Sequence, residues 1–182
     1  MKSSASDTHV RSTSSGTFAP VGIIALGIAA IAAATIAGAW FFQLVLDIRP
    51  CPLCLEQRYA YYLAIPLAAL MAAMASRGGS RALFAVGFII LALALFANAG
   101  LGGYHAGVEW GWWPGPTECT GPITDLGSAG NLLERLQTVK VIRCDEVQWR
   151  FLGLSLAGYN ALISFGMAVL ALRGLVSLKA AR

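Results

Sequence analysis

Asp47-Ile48-Arg49-Pro50-Cys51-Pro52-Leu53-Cys54-Leu55-Glu56-Gln57-Arg58 lies between two long apolar stretches and holds two of the four cysteines of this 182-residue chain. No charged residue occurs from Phe18 to Leu46 before it, and none from Tyr59 to Ser76 after it. A short polar segment between uncharged runs is the connection between two membrane spans. It also carries a vicinal dithiol, which at a membrane surface can meet aqueous thiols on one side and lipid-soluble partners on the other. That arrangement points to membrane redox chemistry.

The rest of the chain agrees. Hydrophobic residues make up 57% and charged residues 12%, with a mean hydropathy of +0.67, too apolar for an ordinary soluble domain. Four spans are expected: Phe18–Leu46, Tyr59–Ala75, Ala82–Tyr104 and Phe151–Leu172. Each reaches roughly 17–25 residues or more, enough at 1.5 Å per residue to cross a hydrocarbon core of about 30 Å. Helices are the expected spanning form, since lipid offers backbone groups no hydrogen-bond partners. The first run is much longer than the roughly 7–15 apolar residues of a signal peptide, so a retained helix is expected.

The predicted fold is therefore an all-α membrane protein, a four-transmembrane-helix bundle forming one domain over residues 18–175. Residues 1–17 are Ser/Thr-rich and read as a disordered cytoplasmic tail, with a second tail over 176–182. Outer loops fall at 47–58 and 105–150. Small residues in the first span, among them Ala29, Ala33 and Gly38, favour close helix approach in lipid. No internal repeat, heptad pattern or nucleotide-binding glycine pattern occurs.

Charge sets the orientation. Lys2 and Arg11 precede the first span, Arg77 and Arg81 join the second to the third, and Arg173, Lys179 and Arg182 follow the fourth. The loop 105–150 instead carries six acids against four bases. The positive-inside bias places both termini in the cytoplasm and all four cysteines on the opposite face, where disulfides persist. The pI near 9.1 reflects this topology rather than a nucleic-acid surface.

Pro52 suits the first turn of a helix, since its missing N–H would be unpaired there. Cys51 then falls at or near the cap and Cys54 in the first turn, where exposed N–H groups and the helix dipole favour a thiolate. Arg58, one turn beyond Cys54, either stabilises a thiolate or a developing oxyanion or snorkels at the span boundary. Tyr59, Tyr61 and Tyr62 read as interfacial anchors or the lining of a flat pocket.

Cys119 and Cys144 are separated by 24 residues. A structural bridge between them would contribute about 3.5 kcal/mol by the chain-entropy argument, yet beside Cys51 and Cys54 an exchange relay is the better explanation. Leu132, Leu133, Leu136 and Val139 recur at helical spacing among charges, which predicts a short interfacial helix in the second outer loop. The run Trp110-Gly111-Trp112-Trp113-Pro114-Gly115-Pro116 offers interfacial aromatics and tight turns ahead of Cys119.

Four spans, Cys51-Pro-Leu-Cys54-Leu-Glu-Gln-Arg58, the later Cys119 and Cys144, and Trp149-Arg-Phe-Leu-Gly-Leu-Ser155 together resemble the DsbB family of bacterial inner-membrane thiol:quinone oxidoreductases. The resemblance implies that a periplasmic DsbA-like thioredoxin-fold protein attacks Cys119 of a Cys119–Cys144 disulfide. It further implies that Cys144 attacks Cys51, and that Cys54 is left beside a bound ubiquinone or menaquinone. Arg58 matches the family's quinone-site arginine. His105 falls at a place comparable to a histidine of some members, where it either assists quinone protonation or is simply an interfacial polar residue. A monomer suffices for this scheme.

Three other readings compete. Four cysteines suit zinc in number but not in spacing, so no metal site is expected. A quinone reductase resembling vitamin K epoxide reductase would carry its C-x-x-C on a late helix, after the loop pair. A non-enzymatic four-helix protein would use both cysteine pairs as structural disulfides.

Overall fold

A computed structural model of the protein describes residues 18–116 and 143–180. Cys119, the expected interfacial helix and the two tails lie outside the described residues, apart from the start of the C-terminal tail, which is helical. Four long helices carry the structure: α1 (Ala19–Leu44), α2 (Pro52–Ala75), α3 (Arg81–Glu109) and α4 (Leu156–Ala180). All four are long and apolar enough to cross a membrane. At 1.5 Å per residue they extend about 36–43 Å, enough to pass through the hydrocarbon core into the interfaces.

Packing follows from residue size. α1 lies mainly along α2 and α3 along α4. Ala25, Ala29 and Ala32 of α1 and Ala64, Ala68 and Ala75 of α2 are buried, while α3 contributes the larger Phe84, Phe88, Leu91 and Leu95. Two glycines permit the close approach of α3 and α4. A Cβ on Gly102 would sit 3.0 Å from the Ala161 nitrogen, and one on Gly174 would overlap the Phe88 ring. The opposite faces carry exposed Ile23, Leu26, Leu70, Leu93, Leu162 and Val176. An apolar exterior around a core of this kind requires lipid as solvent.

Several boundaries differ from the spans read in the sequence, among them the end of α4, which runs to Ala180 rather than Leu172. Helix α2 begins at Pro52, as its capping residues predict, so the span read from Tyr59 is preceded by two helical turns that absorb Glu56, Gln57 and Arg58. Helix α3 runs to Glu109 rather than Tyr104, so His105 occupies its last turns and not an outer loop. A Schellman stop ends it: Gly111 takes a φ of 71°, with Gly111 N–H bonded to Val108 at 3.1 Å and Trp112 N–H to Gly107 at 2.9 Å. Trp113 then folds back, donating from Nε1 to the Tyr104 carbonyl at 2.9 Å.

The fourth helix starts at Leu156 rather than Phe151. Residues before it form a hairpin of β1 (Arg150–Phe151) and β2 (Leu154–Ser155), with Arg150 opposite Ser155 and Phe151 opposite Leu154. Leu152 (φ 48°) and Gly153 (φ 83°) supply the two positive φ values that a two-residue turn matched to strand twist demands. Ser155 then caps α4, its Oγ accepting from Gly158 N–H at 3.2 Å.

Candidate active site at the mouth of the bundle

Cys51 is the N-cap of α2, with extended backbone (φ −75°, ψ 167°) and Pro52 just inside. Its sulfur accepts from the Cys54 N–H at 3.3 Å, so it satisfies one of the donors that a helix start leaves open. One turn later Cys54 brings its Sγ to 2.7 Å from that of Cys51. The Cys51 thiol is pushed well above the ordinary thiol range, first by its hydrogen bond to Cys54, then by burial and by charge on Cys54. Helix-end stabilisation, expected from sequence to lower both thiols, is outweighed at Cys51.

Cys144 reaches this pair from the far side of the second outer loop. It is 1% exposed and packs with Cys51, Leu53 and Val108. Donor atoms of Cys51, His105 and Cys144 all lie within 4.8 Å of one another. Beside Cys144, Arg143 forks onto Asp145 at 3.0 and 2.6 Å, which holds that carboxyl below its usual range.

His105 Nε2 approaches Cys51 Sγ at 3.6 Å. Its other nitrogen, Nδ1, faces the Gln57 amide nitrogen at 2.9 Å. Gln57 is itself oriented by Asn160, whose Nδ2 donates to its Oε1 at 2.6 Å. Asn160 in turn accepts from the Tyr61 hydroxyl. Tyr61 also meets Ser164 at 2.8 Å, and Ser164 accepts from Asn98 at 2.9 Å. With these amide orientations Nδ1 is an acceptor, so Nε2 carries the hydrogen, with Cys51 Sγ and the Cys144 backbone as its acceptors. The network joins α2, α3 and α4 below the cysteines. Tyr61, at 2% exposure, is a member of it and not an interfacial anchor, whereas Tyr59 and Tyr62 remain on the surface.

Arg58 is only 9% exposed, which excludes snorkelling to water. Its Nη1 donates to Gln43 Oε1 of α1 at 2.8 Å, and its guanidinium lies 5.4 Å from the centre of the Trp40 ring. A cavity of about 410 Å³ opens beside it, bounded by Cys51, Cys54, Arg58, His105, Phe42 and Trp149 among others. That volume falls within the roughly 300–1,000 Å³ of small-molecule sites. Its walls are mostly apolar, with Phe42 and Trp149 in ring contact at 5.1 Å, and the polar groups converge at the sulfur end. A flat, lipid-soluble head group with carbonyl oxygens suits this lining.

Four features of the site escaped sequence reading: Gln43, Gln57, Asn160 and Glu109. Gln43, Asn160 and Glu109 are single polar residues in or beside apolar runs, Gln57 lies between Glu56 and Arg58, and only the folded bundle brings the four together. Cys51, Cys54, Cys144, Arg58 and His105 do converge as a group. Cys119 lies outside the described residues.

Sulfurs in this contact, with a third in exchange range, are arranged to pass a disulfide from one pair to another. Set in a bundle that faces lipid, they define a membrane-embedded thiol–disulfide oxidoreductase. The chain belongs to the DsbB family: residues 22–173 match "Disulfide bond formation protein DsbB". It is 34% identical over 151 residues to disulfide bond formation protein B of Aromatoleum aromaticum, covering 81% of this chain and 87% of that protein. Its counterpart in Xylella fastidiosa is 30% identical over 149 residues, 81% of this chain and 84% of that one. Disulfide bond formation protein B 1 of Pseudomonas fluorescens is 41% identical over 83 residues, 46% of each chain. No solved structure matches the chain. The protein is thus a multi-pass inner-membrane enzyme of disulfide bond formation, from a family that is generally quinone-coupled.

Proposed function

We propose that this enzyme reoxidises a periplasmic DsbA-like dithiol protein and passes the electrons to a membrane quinone in the cavity beside Arg58. The observation that carries the reading is the convergence of three sulfurs: Cys51 against Cys54 at 2.7 Å, with Cys144 within 4.8 Å of Cys51. In this scheme the partner's thiolate opens a Cys119–Cys144 disulfide at Cys119. Cys144, released as thiolate, attacks Cys51 and displaces Cys54. The partner's second thiol then closes the partner's own disulfide and frees Cys119, which re-forms its bond with Cys144 and leaves Cys51 and Cys54 as a dithiol. Reclosure of Cys51–Cys54 gives up two electrons and two protons. A bound quinone supplies the acceptor for both.

The chain's own residues serve this chemistry in distinct ways. Arg58 keeps a fixed cation one turn from Cys54, in a site from which water is largely excluded. His105 holds a hydrogen at Nε2, directed at Cys51 by Gln57 and Asn160. Phe42 and Trp149 shape a slot for a planar ring. Ubiquinone and menaquinone both fit this description. The charge pattern supports cytoplasmic termini, periplasmic cysteine loops and tails over 1–17 and 176–182 flanking a redox domain over 18–175. The scheme needs one chain only.

The test mixes the purified protein in detergent with a reduced DsbA-like partner and an excess of a water-soluble ubiquinone analogue. Quinone absorbance and partner thiols should fall together, and Cys54→Ser should abolish both. Partner oxidation that continues in Cys54→Ser, or quinone that stays oxidised with the native enzyme, would refute the route.

A further inference from the structure

The exchange reaction leaves one group at this mouth unused. Glu109, in the last turn of α3, has a side chain only 6% exposed. Its Oε2 is buried without a hydrogen-bond partner among the described residues, and the residue lines the cavity. A buried carboxylate oxygen left unsatisfied is costly unless a ligand completes it. Its Oε1 stands 4.0 Å from His105 Nε2, directly beside the triplet Cys51, His105 and Cys144.

We infer that Cys51, Cys144 and His105, with Glu109 as fourth donor, form a binding site for a thiophilic divalent cation such as Zn²⁺ that exists only when the sulfurs are reduced. Two thiolates, an imidazole and a carboxylate are a donor set that zinc accepts in tetrahedral array. The spacing agrees. With Zn–S near 2.3 Å and Zn–N near 2.0–2.1 Å, the sulfur-to-nitrogen edge of a tetrahedron is about 3.6 Å. Cys51 Sγ and His105 Nε2 stand 3.6 Å apart. Cys144 needs only a small closing movement, since the donors of the triplet already lie within 4.8 Å of one another, and Glu109 would swing in from its place 4.0 Å from His105 Nε2. This differs from an all-cysteine site, for it uses neither Cys54 nor Cys119.

Cation binding requires the Nε2 lone pair, and therefore a hydrogen on Nδ1. The surrounding network permits that change. If the Gln57 and Asn160 amides turn over together, Nδ1–H donates to Gln57 and Gln57 donates to Asn160. The exchange gives up the long 3.5 Å contact from Asn98 to Asn160 and the His105 bond to the Cys144 backbone, and reverses the bond between Tyr61 and Asn160. Binding forms two metal–sulfur bonds and releases two thiol protons to solvent, with no change in sulfur oxidation state. While the cation stays, neither Cys51 nor Cys144 can enter a disulfide, so the enzyme is held in its reduced form. The site is thus an inhibitory one, readable by metal availability outside the cytoplasm.

The full chain in detergent would be reduced with a phosphine, stripped of metal and titrated with Zn²⁺ against a chromophoric chelator. Co²⁺ titration would report thiolate-to-metal absorption and tetrahedral geometry. One cation per chain is expected, with equal affinity in Cys119→Ser and no binding by protein whose Cys51–Cys54 pair is oxidised. Loss of even an outer partner of a metal site costs about 10–100-fold in affinity, so the near-isosteric Glu109→Gln should weaken binding at least about ten-fold. Cys144→Ser, with helix content checked by circular dichroism, should lose the thiolate absorption of a two-sulfur site. Absence of stoichiometric binding, loss of binding in Cys119→Ser, or unchanged affinity in Glu109→Gln or Cys144→Ser would each overturn the site.

Discussion

Replacing Arg58 with Gln removes the cation that α2 itself places in the cavity one turn from Cys54, where Arg49 and Arg143 also line the wall. The guanidinium is held from α1 by Gln43 at 2.8 Å and by the face of Trp40 at 5.4 Å, so it is positioned before any ligand arrives. A hydrogen bond from a charged donor is worth about 1.5–3 kcal/mol, and a neutral amide retains about 0.5–1.5 of that. The net loss is about 1–2 kcal/mol, or about 5- to 30-fold at 1.4 kcal/mol per factor of ten. That loss should fall on the Michaelis constant for quinone, while the constant for the reduced protein partner shifts by less than about two-fold, since surface docking is untouched. Gln43→Leu should move the quinone constant the same way by a smaller factor, because the cation remains but loses its anchor. Combined, the two changes should be less than additive, since both act through one guanidinium. Steady-state kinetics with each substrate varied in turn would decide. A larger effect on the protein partner than on quinone would remove Arg58 from the quinone site, and full additivity with Gln43→Leu would remove Gln43 from its support.

Further outcomes follow from the same geometry. In the reduced enzyme at a pH of about 8, iodoacetamide should modify Cys51 more slowly than an ordinary thiol of pKa about 8.5, because its raised pKa keeps it protonated. Alkylation should rise only as pH climbs beyond that range; peptide mapping showing Cys51 modified fastest at neutral pH would contradict the charge assignment. In Cys144→Ser the Cys119 thiolate should open the disulfide of the oxidised partner and stay joined to one of its sulfurs while the other leaves as thiol; absence of that mixed disulfide on non-reducing gels would remove Cys119 as the partner's point of attack. Gly102→Leu should destabilise the bundle by about 1–3 kcal/mol, read as a lower Tm in detergent, and should also slow turnover, because the new side chain meets both the α4 backbone and the Asn160 amide at 3.0 Å. A variant as stable and active as the native enzyme would show that α3 and α4 do not pack as described.

Much of this was legible in the sequence because membranes simplify the code. Uncharged runs fixed the number of helices, and Pro52 beside Cys51 fixed the cap of α2. Boundaries were harder where charge was used as the marker. Glu56 and Arg58 read as loop residues, yet Arg58 is paid for inside α2 by Gln43 and Trp40 on another helix. The hairpin before α4 hid in Phe151-Leu152-Gly153-Leu154, which is as apolar as a span and is betrayed only by its glycine. The polar network was not legible at all: Gln57 and Asn160 are 103 positions apart, and nothing in either neighbourhood names the other.

That separation has a consequence for how the enzyme comes into being. Apolar surface cannot tell a helix which way to turn in lipid, because acyl chains and leucines are nearly equivalent neighbours. The chain Tyr61, Asn160, Gln57, His105 closes in one rotation and one depth of α2, α3 and α4. Asn160 sits on the last of these four helices to leave the ribosome. A nascent chain can therefore already carry Cys51, Cys54 and Cys144 while His105 still lacks its aim, and the enzyme becomes competent only when α4 docks.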